Sequence, residues 1–207
     1  MRKLILGMVA TICLAAPIRA LLADELTAGQ ELSPAEYEVA AAVLQAEYVA
    51  ADNKPVLVAT QTATFACNPP IDNGFAIGGC SGMRTADTTP EAFVDELRAA
   101  MPSMTIELSE KLLREGQASA TVAHTLPVNV PQFLYGKGVT EKPSGKPEMA
   151  FYMSRPAIAK DGGNALIYVG IISWRDQSKS MGRYFYLEKA DGHWVIKDQV
   201  VTWQLGS

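Results

Sequence analysis

Apolar residues along this chain first recur at helical spacing and later at strand spacing. After Ser33-Pro34-Ala35-Glu36, positions Tyr37, Ala40, Ala41, Leu44 and Tyr48 fall on one stripe, which predicts a helix to about Ala50. Ser33 and Glu36 stand at capping-box spacing, and Pro34 suits the first helical position. Asp52-Asn53-Lys54-Pro55 ends the helix, and Val56-Leu57-Val58-Ala59-Thr60 reads as a buried strand. Thr89-Pro90-Glu91 opens a second helix with Phe93, Leu97 and Met101 inward; Pro102 closes it, and a third covers 106–114 before Gly116. Residues 117–148, with Pro127, Pro131, Pro143 and Pro147, carry little pattern and read as an irregular segment.

The last sixty or so positions alternate. Residues 149–153, 165–172, 182–189 and 193–203 are four strand candidates, rich in β-branched and aromatic side chains. Asp161-Gly162-Gly163-Asn164 separates the first two, and Asp191-Gly192 joins the last two as a hairpin turn. Helices followed by strands predict an α+β domain, with N-terminal helices and a C-terminal antiparallel meander of about four strands.

The first twenty residues stand apart. Arg2 and Lys3 precede an uncharged apolar run over 4–16, then Pro17 and the small residues Ala20 and Ala23, the order of a secretory leader. The run is shorter than the ~20 apolar residues a spanning helix needs. The expectation is a signal peptide over 1–20, an exported domain over 21–207, periplasmic or secreted, and no stable membrane insertion once the leader is cleaved. The chain's 18 basic side chains include Arg2, Lys3 and Arg19, so the domain keeps 15 against 22 acids, a net −7. That balance argues against nucleic acid as a partner.

Cys13 falls in the leader, which leaves Cys67 and Cys80 for the domain. An even count in an exported chain predicts a disulfide clasping the turn-rich loop 67–80. Two thiols without neighbouring histidines do not complete a zinc sphere, so no metal site is expected.

Met153-Ser154-Arg155-Pro156, the strand from Ala165, the run Leu187-Glu188-Lys189-Ala190-Asp191-Gly192-His193-Trp194 and the closing Trp203 resemble a group of uncharacterised exported bacterial proteins. The resemblance implies compartment and fold and brings no activity. The same hairpin also closes cone-shaped folds of the nuclear-transport-factor-like kind.

No motif assigns a catalytic residue or a cofactor. His124 and His193 have no metal-ligand spacing, and Gly79-Cys80-Ser81-Gly82 misses a nucleophile elbow by one residue. The cluster with chemical interest is Ser154, Arg155, Arg175 and Arg183, with Trp174: three arginines on one small sheet either converge on an anion or pair with Glu188, Asp176 or Asp198. The first functional reading is a non-catalytic module binding a protein or small ligand through a sheet face and the clasped loop. The alternative is a cone-like hydrolase or isomerase with a pocket between helices and sheet.

Overall fold

The structure, a computed structural model, describes residues 29–50, 55–64, 90–136, 147 and 149–205. The leader and Cys67 and Cys80 lie outside the described residues.

Helix α1 (Pro34–Ala50) begins where its capping box places it. The Ser33 N–H donates to Glu36 Oε2 at 2.6 Å, and the Glu36 N–H to Ser33 Oγ at 3.4 Å. Tyr37, Ala40, Ala41, Leu44 and Tyr48 are all buried, joined by Val39 and Val43. Helices α2 (Pro90–Ala100) and α3 (Ile106–Glu115) bury Phe93, Leu97, Leu108 and Leu112. Gly116 ends α3 with right-handed backbone, its N–H donating to the Leu112 carbonyl at 2.8 Å, so that position needs no glycine.

The strands are β1 (Val56–Ala59), β2 (Gln132–Tyr135), β3 (Met149–Met153), β4 (Ala157–Ile158), β5 (Asn164–Ser173), β6 (Met181–Ala190) and β7 (His193–Gln204). The four expected C-terminal strands are present as β3, β5, β6 and β7, and they pair antiparallel in that order. The α+β class holds, but the sheet is larger and mixed, not a four-strand antiparallel meander. It runs β2-β1-β3-β5-β6-β7, with β4 paired to β5, and β1 lies parallel to both β2 and β3. The reason lies in β1, whose four residues are all buried between two neighbours, the environment of a parallel strand. Strand β2 falls inside the stretch read as irregular; four residues between Pro131 and Gly136 are too few to show a period.

Helices cover both faces. Val56, Val58, Phe151, Ile167, Val169, Phe185 and Leu187 pack with α1. Ala59, Tyr152, Leu166, Tyr168, Tyr184 and Tyr186 pack with α2 and α3 on the other side. Strands β5 and β6 therefore alternate between two cores. Two glycines make room on the α2/α3 side. Gly170 and Gly182 are paired across β5 and β6. A Cβ at Gly170 would run into the Tyr152 ring, and one at Gly182 into Trp203 and the Tyr168 hydroxyl. The Trp203 indole N–H donates to that hydroxyl at 2.8 Å.

The β6–β7 turn is the Asp191-Gly192 pair, with φ of 49° and 80° and Ala190 opposite His193. Both central residues at positive φ match the strand twist, as a primed hairpin turn requires.

Candidate functional site

The sheet holds the arginines apart. Ser154 is fully buried; its Oγ accepts the Tyr168 N–H at 3.0 Å and its own N–H donates to the Tyr168 carbonyl at 2.9 Å, which anchors the end of β3. Arg155 follows, and its Nε lies 2.6 Å from Glu36 Oε1 and 3.5 Å from Glu115 Oε2, while Nη1 donates to Gln30 Oε1 at 3.2 Å. Burial pulls this guanidinium's pKa down, and the Glu36 hydrogen bond with the charges of Glu36 and Glu115 more than offsets it. Arg183 donates from Nη1 to Glu47 Oε1 at 2.9 Å and to Gln199 Oε1 at 3.4 Å. Glu36 and Glu47 stand eleven residues apart on α1, about 16 Å at the helical rise, so Arg155 and Arg183 serve opposite ends of that helix. Arg175 is exposed beyond Ser173, which pairs with Met149 at the start of β3, whereas Arg155 follows the end of β3. The three arginines do not form one cluster. Nor do Arg155 and Arg183 rely on the acids anticipated from the sequence. Glu188 faces Lys197 at 3.5 Å, Asp176 Oδ1 accepts from Ser178 Oγ at 2.6 Å, and Asp198 Oδ1 accepts the Gln199 N–H at 2.8 Å. The acids that matter lie on α1 and α3.

Burial raises the Glu47 carboxyl above its ordinary value, against the pull of Arg183. His124 stacks on Tyr37 with ring centroids 4.2 Å apart, and its Nδ1 is 3.3 Å from Glu31 Oε1. The Tyr37 hydroxyl accepts the Ala123 N–H at 2.9 Å, which pins the 121–124 segment to α1. Among the described residues no three His, Cys, Asp or Glu side chains gather as a metal site, and no helix is long and apolar enough to cross a membrane.

His193 has a different setting. It lines an open groove of about 440 Å³ with Glu38, Ala41, Ala42, Gln45, Pro127, Val128, Gly192 and Trp194. Glu38, Ala41, Ala42 and Gln45 recur at i, i+3, i+4 and i+7, so the floor is one face of α1, low in the middle where two alanines stand.

Each wall is secured by a side chain. On one side the Gln132 amide holds the loop carrying Pro127 and Val128. Its Oε1 accepts the Leu126 N–H at 2.9 Å, and its Nε2 donates to the Leu126 carbonyl at 2.8 Å. On the other side stands the 192–194 turn. Lys189 Nζ sits 3.4 Å from Glu38 Oε2 and 5.3 Å from the centroid of the Trp194 ring, joining the turn to α1. The buried Trp194 Nε1 has no hydrogen-bond partner.

The groove thus offers an apolar floor and an indole wall, with a carboxylate, an amide and an imidazole around them. That composition suits binding by contact with a few orienting polar groups. The sequence shows His193 only as lacking metal-ligand spacing and puts Ala41 on the core stripe of the helix. The signal that could have found the groove was the second α1 stripe, Glu38-Ala41-Ala42-Gln45, which is polar at its ends and small in its middle. No protein-family model, curated protein or solved structure matches this chain.

Proposed function

We propose that the chain is an exported, non-catalytic binding module that receives an extended segment of a partner protein in the groove over α1. The observation that carries this reading is the construction of the groove: a helix face with two alanines, walled by a loop tied through Gln132 and a turn tied through Lys189 and Glu38. An open groove with fixed walls takes a chain segment without rearranging, which lowers the ordering cost of binding. Export rests on the leader pattern of residues 1–20, and with it the bond between Cys67 and Cys80.

The test is a titration of fluorine-labelled Trp194 with a library of extended peptides. Saturable shifts that disappear in Ala42→Arg, which fills the floor from a half-exposed position, support the reading. A library without binders, or binders indifferent to Ala42→Arg, rejects it.

The enzyme reading draws on one observation, His193 and Glu38 lining the same groove. The groove is open rather than enclosed, and helices pack on both faces of the sheet. Binding that survives His193→Ala favours the module; a turnover lost with that change favours the enzyme.

A further inference from the structure

Among the described residues strand β7 ends the sheet, and no strand lies beside its outer side. It is also where exposed apolar area collects. Of the exposed large hydrophobic residues among those described, Ile106, Val195, Val201 and Leu205, three lie on β7 or just past its end, at 41%, 49% and 47% exposure. The strand has twelve residues and no proline. A long apolar edge of this kind is a template for another strand.

The charges on β7 decide which strand. Lys197 and Asp198 sit side by side, and two irregularities interrupt the pairing with β6, leaving Lys197 and Thr202 without a register partner. An arbitrary strand meets both obstacles. A second copy arranged antiparallel about a two-fold axis meets them in only a few registers, because opposite residues must share a sheet face. Centring the axis on Lys197 or on Asp198 sets like charges against each other, which is destabilising. Centring it on Gln199 sets Lys197 against Val201 and Asp198 against Val200. Centring it on Val200 sets Lys197 against Trp203 of the second copy, Asp198 against Thr202, and Val195 against Leu205. Val195 lies opposite Glu188 and Trp203 opposite Gly182, both on the Tyr184 side of β6, so Val195 and Leu205 also agree in face.

We infer that the free edge of β7 pairs antiparallel with β7 of a second copy of this chain, about a two-fold axis at Val200, to give one continuous sheet. In that arrangement the Gln199 N–H, held by Asp198 Oδ1 at 2.8 Å in the single chain, passes to the Val201 carbonyl of the second copy. The groove is untouched, since its Trp194 packs on the α1 side and Val195 points to the other face.

Sedimentation equilibrium of the purified protein tests the inference. The expected result is a reversible dimer whose dissociation constant rises at least about tenfold in Val195→Glu, with an unchanged circular dichroism spectrum because Val195 is exposed. Adding Leu205→Lys to Val195→Glu should restore the dimer, since the two positions face each other only in this register. A protein that stays monomeric at every concentration overturns the inference, as does a dimer that Val195→Glu leaves intact. A double variant that remains monomeric overturns the register at Val200.

Discussion

Arg155 Nε stands 2.6 Å from Glu36 Oε1, and through that contact one side chain joins the two helical layers over the end of the sheet. Glu36 belongs to α1 and Glu115, 3.5 Å from the same nitrogen, to α3. The Arg155 side chain is only 12% exposed and that of Glu36 9%, so the contact is shielded from water. Removing the guanidinium leaves two acids short of their cation. Arg155→Met should therefore cost about 3 kcal/mol, nearer to a buried ion pair than to a surface one, and should lower the urea midpoint accordingly. Adding Glu36→Gln should recover part of the loss. A cost below about 1 kcal/mol would mean that water screens the pair.

Gly170→Ala should destabilise by about 1–3 kcal/mol, because the new methyl meets the Tyr152 ring in a filled core. Gly192→Ala offers the contrast. Nothing lies within 4 Å of a Cβ there, and the cost of about 1 kcal/mol would come from φ of 80° alone. Urea unfolding of both variants, with Tyr152→Leu added to Gly170→Ala, separates the two causes: only the first should be relieved by a smaller neighbour.

Tyr135→Phe should leave stability unchanged or raise it by up to about 1 kcal/mol, since its hydroxyl is buried with no hydrogen-bond partner. A loss above about 1 kcal/mol in thermal unfolding would show that the hydroxyl is hydrogen-bonded in solution.

Alkaline pH should unfold the protein through its core tyrosines. Burial holds Tyr135 and Tyr152 far above the ordinary tyrosine range, and at Tyr168 burial outweighs the Trp203 hydrogen bond. The folded pKa values lie above the unfolded value of about 10, so the stabilisation is complete below pH 10 and is lost as pH rises beyond it. Each such group removes about 1.4 kcal/mol per pH unit in that window. Absorbance at the phenolate band should therefore rise together with the loss of circular dichroism. Phenolate formation by all three in a still-folded protein would contradict this.

Gln132→Leu should expose the Leu126 amide to hydrogen exchange and cost about 1–3 kcal/mol, because a leucine cannot hold the backbone groups that the amide satisfies. Exchange measured residue by residue should show the change concentrated at 126–130, the groove's loop wall.

What the sequence displayed were the local signals. The Ser33–Glu36 box, the Asp191-Gly192 turn and the alternation of β5 and β6 each operate within a few residues, and each stands where it was read. The distant relationships left no comparable trace. Parallel strands need no turn between them, so nothing in Val56-Leu57-Val58 announces Gln132 on one side and Met149 on the other. The partners of Arg155 and Arg183 were missed for the same reason: Glu36 reads as a capping residue, Glu47 carries no local signal, and only folding brings them to the arginines. The groove depends on a loop, a helix face and a turn meeting, which no one segment encodes.

The position of β1 fixes the order in which the chain can assemble. Strands β5, β6 and β7 are neighbours in sequence and can zip up as soon as they are made, whereas Val56 must await both Gln132 and Met149. The first of the described strands to leave the ribosome is thus among the last to be paired. Until the C-terminal half arrives, Val56-Leu57-Val58-Ala59 is an apolar segment with open backbone on both sides, the kind of surface that holdase chaperones bind and that aggregates when they are scarce. A nascent chain cut short before Gln132 would keep that liability permanently, whatever helices it had already formed.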